Sequence, residues 1–236
     1  MIKVHDQSIY TASHDCFLLK CPVDDLSNIT MVTRMECPIN CFDIVDGTLF
    51  VASDNPHVSV HDLQSVLHSS ILSFHAKKVV GIKADPTGSW LATVSLDNVC
   101  AIWSIDSAKR EHSVPFDSSV VSTGKVNSIG IDWNQHSVCA IPCGNLVLLV
   151  SAISGSVVSS ISLKSVCSSQ AVECLFCGDL LLVRCIGNVL VVVCTKSGRI
   201  VWSRTDSGCA GWIDGKVYSI GQNLEFAVES VEGAVE

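Results

Sequence analysis

The chain has 236 residues, of which 48% are hydrophobic and 16% are charged. This composition predicts a folded protein with a substantial core and excludes a disordered chain. The formal net charge of −8 and the pI near 5.4 exclude a general affinity for nucleic acid or for anionic membranes. We therefore expect no direct sequence-specific binding to nucleic acid, so that any role at DNA would depend on a local patch or a protein partner.

Neither the N-terminus nor the most apolar stretch of the chain indicates export or membrane insertion. Residues 1–7 lack the apolar core of a signal peptide. The most apolar stretch, residues 180–194, is interrupted by Arg184, Gly187 and Asn188 and is too short to span a bilayer as a helix. We expect a protein that is neither secreted nor bound to a membrane.

A short pattern recurs along the chain. A run of alternating apolar residues ends at an anchor position, and a second alternating run ends eight residues further on. In the first three copies Asp or Asn follows two residues after the anchor. The anchors are Ser13, Ser53, Ser95, Pro142, Cys185 and Ile220, with spacings of 40, 42, 47, 43 and 35 residues. A period near 40 with several short strands in each unit is typical of a β-propeller.

The repeat predicts an all-β chain that folds as one domain, residues 1–236. No stretch of a dozen residues has helical periodicity, and alternation with turn residues indicates strands throughout. The six predicted units are approximately 1–26, 27–65, 66–108, 109–155, 156–198 and 199–229. The predicted inner strands lie near 40–45, 79–84, 126–132, 171–176 and 209–213, and the third unit continues with strands 90–95, 99–105 and 112–116.

The third unit is the most complete copy. It places His75 before its first strand, Ser95 on its second strand, Asp97 in the following turn and Trp103 on its third strand. This set resembles the hydrogen-bonded tetrad of WD40 repeats. The resemblance implies that Asp97 orients His75, that His75 reaches the hydroxyl of Ser95, and that this hydroxyl meets the Trp103 indole. Buried polar groups of this kind must be paired, and pairing them in one chain ties outer strands to inner ones.

The same residues could also be interpreted as a hydrolytic triad of His75, Ser95 and Asp97. A triad requires an exposed nucleophile and an oxyanion hole, and Ser95 does not lie in a nucleophile-elbow motif. The sequence also has no Gly-rich phosphate loop and no carboxylate pair within a supporting motif. We therefore favour the structural tetrad and expect no enzymatic activity, no catalytic residue and no cofactor.

Thirteen cysteines raise the question of disulfides or a metal site. The number is odd, and no secretory signal indicates an oxidising compartment. Cys174 and Cys177 have CxxC spacing, but they lie in a predicted strand, where residues three apart point to opposite faces. No second pair lies near them at metal-binding spacing. We expect buried, reduced cysteines and no bound metal.

A more specific pattern follows the third unit. Trp133 is followed by Ala140-Ile141-Pro142 and then by the apolar run 147–150. Over roughly residues 1–152 this succession resembles the N-terminal WD40 domain of the replisome adaptor family, known as chromosome transmission fidelity factor four or acidic nucleoplasmic DNA-binding protein one. The resemblance implies a nuclear, chromatin-associated scaffold for DNA replication, with replicative helicase or primase–polymerase components as partners. The alternative is a generic WD-repeat platform in another nuclear or cytoplasmic complex.

The chain departs from this family in its number of units. The family domain has seven blades, whereas we count six here, with one missing between the second and third. We expect the sixth unit to lack a fourth strand, and we identify no counterpart within these 236 residues of the family's second propeller, which forms trimers and docks peptides. We therefore expect a WD40-type β-propeller of about six four-stranded blades that is incompletely closed. Its exposed edges, at the first and sixth units, are predicted to bind a partner by strand addition.

Overall fold

The computed structural model describes residues 1–65, 69–116, 128–205, 207–213, 216–221 and 226–230. Within these ranges the regular secondary structure consists of β-strands arranged in antiparallel sheets, each built from consecutive strands. No helix in the described ranges is long and apolar enough to cross a membrane. The chain divides into two compact units, Met1–Pro115 and Phe116–Glu236.

The first unit contains three four-stranded sheets. Sheet 1 consists of β1 (Ile2–His5), β2 (Ser8–Ala12), β3 (Phe17–Pro22) and β4 (Thr30–Arg34). Sheet 2 consists of β5 (Ile39–Val45), β6 (Thr48–Ser53), β7 (His57–Asp62) and β8 (Ser69–Ser73). Sheet 3 consists of β9 (Val79–Ala84), β10 (Trp90–Ser95), β11 (Val99–Ser104) and β12 (Lys109–Pro115).

The second unit contains two four-stranded sheets and one sheet with three described strands. Sheet 4 consists of β13 (Asp132–Trp133), β14 (Val138–Cys143), β15 (Leu146–Ser151) and β16 (Ser156–Ser162). Sheet 5 consists of β17 (Ala171–Cys177), β18 (Leu180–Cys185), β19 (Val189–Cys194) and β20 (Ile200–Arg204). Sheet 6 consists of β21 (Ser207–Ile213), β22 (Lys216–Gly221) and β23 (Phe226–Ser230).

The predicted units are offset from the sheets by one strand. Each unit from the second to the sixth contains the outermost strand of one sheet and the first three strands of the next, while the first unit contains β1–β3 alone. The predicted all-β architecture with about six sheets is confirmed. The organisation of residues 1–236 as a single domain stays a prediction.

The middle strands of the sheets are apolar on both faces because each face packs on a different neighbour. In β6, Leu49 and Val51 belong to the core cluster that contains Tyr10 of sheet 1. Phe50 and Ala52, which point the other way, belong to the cluster that contains Leu91 of sheet 3. This is why such strands read as continuous hydrophobic runs rather than as a simple alternation of apolar and polar residues.

One predicted inner strand, residues 126–132, is wrong in its extent. Residues 126–127 lie outside the described ranges, and β13 contains only Asp132 and Trp133. Continuing the β13–β14 register would place Gly130 opposite Pro142, which has no N–H to donate. Gly130 instead bonds to β17, donating its N–H to the carbonyl oxygen of Val172 at 2.8 Å and accepting the N–H of Cys174 at 2.9 Å.

Gly130 also has a steric reason to be glycine. A Cβ atom added at this position would lie 2.5 Å from Cγ and 3.1 Å from Cβ of Glu173. The segment just before β13 and strand β17 therefore approach more closely than a side chain at position 130 permits. The combination of Pro142 on one side and glycine on the other moves the pairing from sheet 4 to sheet 5.

Candidate functional site

Sheet 3 holds the residues that the sequence identifies as a tetrad. His75 lies in the connection between β8 and β9, Asp97 lies in the β10–β11 turn, and Trp103 lies on β11. The β10–β11 register places Trp103 opposite Leu91 and Ala101 opposite Thr93. Thr93 and Trp103 are therefore diagonal neighbours on the same face of the sheet, and both are buried.

A chain of hydrogen bonds joins these residues. The indole Nε1–H of Trp103 donates to Thr93 Oγ1 at 2.9 Å, and Thr93 Oγ1 lies 2.9 Å from Nε2 of His75. On the other side of the ring, Nδ1 of His75 lies 3.1 Å from Oδ2 of Asp97. A carboxylate only accepts, so Nδ1 carries the proton, and in the neutral ring Nε2 accepts the Thr93 hydroxyl proton. Each polar hydrogen in this series of hydrogen bonds, from the Trp103 indole to the Asp97 carboxylate, then has an acceptor.

The electrostatics favour this neutral state of the imidazole. Burial lowers the pKa of His75, and this effect outweighs the nearby Asp97 carboxylate, which acts in the opposite direction. Asp97 is itself anchored by the turn, because Oδ2 also accepts the N–H of Ala76 at 2.9 Å and Oδ1 accepts that of Val99 at 3.1 Å. The carboxylate therefore ties the β10–β11 turn to the segment that enters sheet 3.

The structure corrects one predicted member of the tetrad. It brings His75, Asp97 and Trp103 together, but the bridging hydroxyl belongs to Thr93 and not to Ser95. Ser95 Oγ donates to the carbonyl oxygen of Lys77 at 2.9 Å and accepts the N–H of Asp97 at 3.2 Å.

The strand register explains the correction. Thr93 is two residues from Leu91, the cross-strand partner of Trp103, whereas Ser95 is four residues away at the end of β10. A register shift between Val94 and Ser95 also places Ser95 opposite Val79. The sequence offered a second candidate for the bridging hydroxyl. Thr93 lies on the same face of β10 as Ser95 and ten residues before Trp103.

Two aspartates that the sequence analysis does not single out, the buried Asp43 and the partly buried Asp132, connect neighbouring inner strands. Asp43 on β5 accepts the N–H of Ala84 on β9 through Oδ2 at 2.9 Å. Asp132 on β13 accepts the N–H of Phe176 on β17 through Oδ2 at 2.9 Å. The same device therefore recurs in both units. The signal that could have found it is a lone aspartate within a predicted inner strand.

Asp43 also forms an ion pair with Lys3 of β1. Burial lowers the pKa of Lys3, Lys83 lowers it further, and Asp43 counteracts both. Lys3, Asp43 and Ala84 thus connect the innermost strands of sheets 1, 2 and 3. We interpret this group as structural, since the carboxylate is already engaged by two strands.

One face of sheet 1 is apolar and largely exposed. The cross-strand registers align Ile2, Thr11, Leu19 and Met31 in one row on it, and Val4, Ile9 and Cys21 in the next row. Ile2, Val4 and Met31 are 70%, 68% and 61% exposed. The opposite face carries Tyr10 and Leu18, which are buried in the cluster shared with sheet 2. We refer to Ile2, Val4, Ile9, Leu19 and Met31 as the apolar face of sheet 1.

The cysteines are distributed through the cores. The twelve cysteines whose side chains are described are free thiols, and Cys174 is buried whereas Cys177 is partly exposed. Burial raises the pKa of the Cys100 thiol to about 12 and raises those of Cys41 and Cys174 further. Across the described residues, no group of three or more His, Cys, Asp or Glu side chains could hold a metal ion.

Comparisons with known proteins agree with this architecture. No protein-family model matches the chain. Protein HIR1 of Candida albicans (strain SC5314 / ATCC MYA-2876) is 28% identical over an alignment of 118 residues that covers 44% of this chain, and the chain spans only 13% of that relative's length.

Two solved structures resemble nearly the whole chain. The crystal structure of the mitotic checkpoint complex contains a chain that matches with a TM-score of 0.78 and 14% identity, covering 96% of this chain and 72% of that one. The computationally designed Ika8 protein matches with a TM-score of 0.75 and 9% identity, covering 97% and 70%. At these identities the likeness shows the fold alone. Together with the sheets described above, it shows that the fold is a β-propeller of the WD40 type.

Proposed function

We propose that the chain is a non-catalytic protein-interaction scaffold of the replisome-adaptor type, which links replication factors on chromatin in the nucleus. The observation that carries the scaffold role is the apolar face of sheet 1. An exposed patch of this kind marks a surface that is covered by a partner. The tetrad, by contrast, is enclosed, and its polar groups bond to one another, so it serves to hold sheet 3 together.

The replisome-adaptor part of the proposal rests on the unit that follows sheet 3. Trp133, Ala140 and Ile141 are buried in sheet 4, and the same unit gives the sequence its resemblance to the adaptor family. The expected partners are therefore components of the replicative helicase or the primase–polymerase. Because the net charge is −8, we expect association with chromatin to depend on these proteins rather than on direct contact with DNA.

Sheet 6 supplies a second predicted contact surface. It has three described strands, whereas each of the other sheets has four. Its outermost described strand, β23, includes Val228, which is 45% exposed. A partner strand paired with β23 would complete a four-stranded sheet, with backbone hydrogen bonds contributing much of the affinity.

The test is affinity purification from S-phase nuclei followed by mass spectrometry, with a variant of the apolar face as a comparison. Val4→Glu places a charge on the exposed face of β1, and Val158→Glu places the same charge on the exposed strand β16 as a control. We expect helicase or primase–polymerase subunits with the wild type and the control, and their loss with Val4→Glu. Recovery of only coat, ubiquitin-ligase or ribosome-assembly proteins would reject the adaptor role.

A generic WD-repeat platform in another complex is the second candidate. The similarity to Protein HIR1, a relative that does not bear the adaptor family's name, favours it. Localisation through the cell cycle separates the two. Chromatin association in S phase supports the adaptor, and constant cytoplasmic residence supports the generic platform.

A further inference from the structure

A pocket of about 350 Å³ lies between sheets 2 and 3 of the first unit. On the sheet 2 side it is lined by two cross-strand rows, one formed by Phe50, Val60 and Ser70 and the next by Thr48 and Asp62. On the sheet 3 side it is lined by Leu91, Trp103 and the residues that follow Trp103. Next to the pocket, the two sheets share a hydrophobic core cluster that includes Ala52, Val58, Val79 and Ile82.

The pocket exists because a small residue, Ser70, stands at the edge of the interface between sheets 2 and 3, where a larger side chain would fill the space. Phe50, Leu72, Leu91 and Trp103 form an apolar floor. Ser70, at the outermost strand, leaves the space above them open. The indole Nε1–H of Trp103 is already bonded to Thr93, so the ring presents only carbon surface to the pocket. A volume of about 350 Å³ lies at the lower end of the range for ligand sites, so it suits one large apolar side chain rather than an extended cofactor.

Asp62 gives the pocket a charge. Its side chain is exposed at the rim, and its Oδ1 accepts the N–H of Gln64 at 2.8 Å. No cation among the described residues is paired with this carboxylate. A ligand with a positive charge next to its apolar group would therefore complement the pocket better than a neutral or acidic one.

The strand beside the pocket indicates how such a ligand would be held. β8 is the outermost strand of sheet 2 in the described part of the chain. Ser70 and Leu72 point to the pocket side, whereas Ile71 points to the other face and is 64% exposed. A strand paired with β8 would place every second side chain over the pocket.

We propose that this pocket binds an extended segment of a partner protein, with one Phe- or Leu-sized side chain between Ser70 and Trp103 and a Lys or Arg two residues away paired with Asp62. The segment adds to sheet 2 as a fifth strand beside β8. This proposal rests on the scaffold function proposed above and names one of its contact sites.

The test uses the purified full chain and a fluorescein-labelled peptide, Thr-Lys-Thr-Phe-Thr-Lys-Thr, whose Phe and both Lys side chains share one face when extended. Fluorescence anisotropy measures its Kd. Replacing the peptide's Phe by Ala should weaken binding at least about tenfold. Replacing both Lys by Glu should also weaken it, by a factor that shrinks as salt is added.

Matched protein variants locate the site. Ser70→Phe fills the pocket from the outermost strand and should abolish binding, whereas Ser160→Phe makes the same change on the exposed strand β16 and should leave Kd unchanged. Asp62→Lys should reverse the preference, so that the Glu peptide binds more tightly than the Lys peptide. Urea unfolding of each variant checks that the fold is retained.

The proposal is overturned if no peptide of the set binds to the wild type, or if Ser70→Phe and Ser160→Phe behave alike. It is also overturned if Asp62→Lys leaves the charge preference unchanged. Affinity purification with Ser70→Phe separates this failure from failure of the scaffold role. Partners recovered undiminished would reject the pocket alone, and no partners even with the wild type would reject the scaffold.

Discussion

The assignment of Thr93 as the hydroxyl that bridges Trp103 and His75 can be tested by mutation. Thr93→Val keeps the shape of the side chain but removes the oxygen that accepts the Trp103 indole N–H and meets His75 Nε2. Both remaining groups are buried, and each unpaired buried polar group costs about 1–3 kcal/mol, so we expect a total loss of about 2–6 kcal/mol. Ser95→Ala breaks bonds to backbone groups that are partly accessible to water, so we expect about 1 kcal/mol.

Urea unfolding followed by circular dichroism measures both losses, with the slope of the transition checking that the unfolding mechanism is unchanged. Trp103→Phe, which removes only the indole N–H and part of the ring, supplies a double-mutant cycle with Thr93→Val. The two changes should be non-additive, because each one removes the same hydrogen bond. A larger loss for Ser95→Ala than for Thr93→Val, or additivity in the cycle, would refute the reasoning.

Three further predictions concern protonation, packing and thiols. Because the pKa of His75 is lowered in the folded protein, the unfolded chain binds more protons at acidic pH. The free energy of unfolding should therefore fall as the pH decreases below about 6.5. Urea titrations at several pH values should show this dependence in the wild type and a flatter one in His75→Asn. Gly130→Ala should cost about 1–3 kcal/mol in thermal or urea unfolding because its Cβ meets Glu173, whereas Gly211→Ala, with open space around its Cβ, should cost less. Cys100 should resist alkylation in the native protein and react after denaturation, since it is buried and burial raises its pKa to about 12. Mass spectrometry measures the labelling. Labelled Cys100 in the native protein would contradict its buried placement.

The fold was predictable because alternation and turn residues are local signals. The predicted strands 79–84 and 90–95 coincide with β9 and β10, and Asp85-Pro86-Thr87-Gly88 forms the turn between them. In that turn Gly88 has a φ of +73° and donates its N–H to the carbonyl oxygen of Asp85 at 3.0 Å. A glycine tolerates this backbone conformation at little cost, so the sequence marks the turn directly.

The site was only partly predictable because it depends on register. Thr93 and Ser95 lie on the same face of one strand, and only the pairing of Trp103 with Leu91 decides which hydroxyl the indole meets. Likewise, the pairing of Gly130 with β17 depends on a neighbouring sheet that residues 126–132 do not encode. The pocket beside Trp103 required both sheets, since its walls come from residues as far apart in the chain as Thr48 and Ala108.

The proposal that this chain is a scaffold for replication proteins is tested most directly by hydrogen exchange with purified components. The chain is measured alone and with a reconstituted replicative helicase or primase–polymerase complex, at concentrations that allow saturation. We expect direct binding and slower exchange in β1 and β23, the strands of the two proposed contact surfaces. No binding to either complex, or protection confined to strands outside sheets 1, 2 and 6, would contradict it.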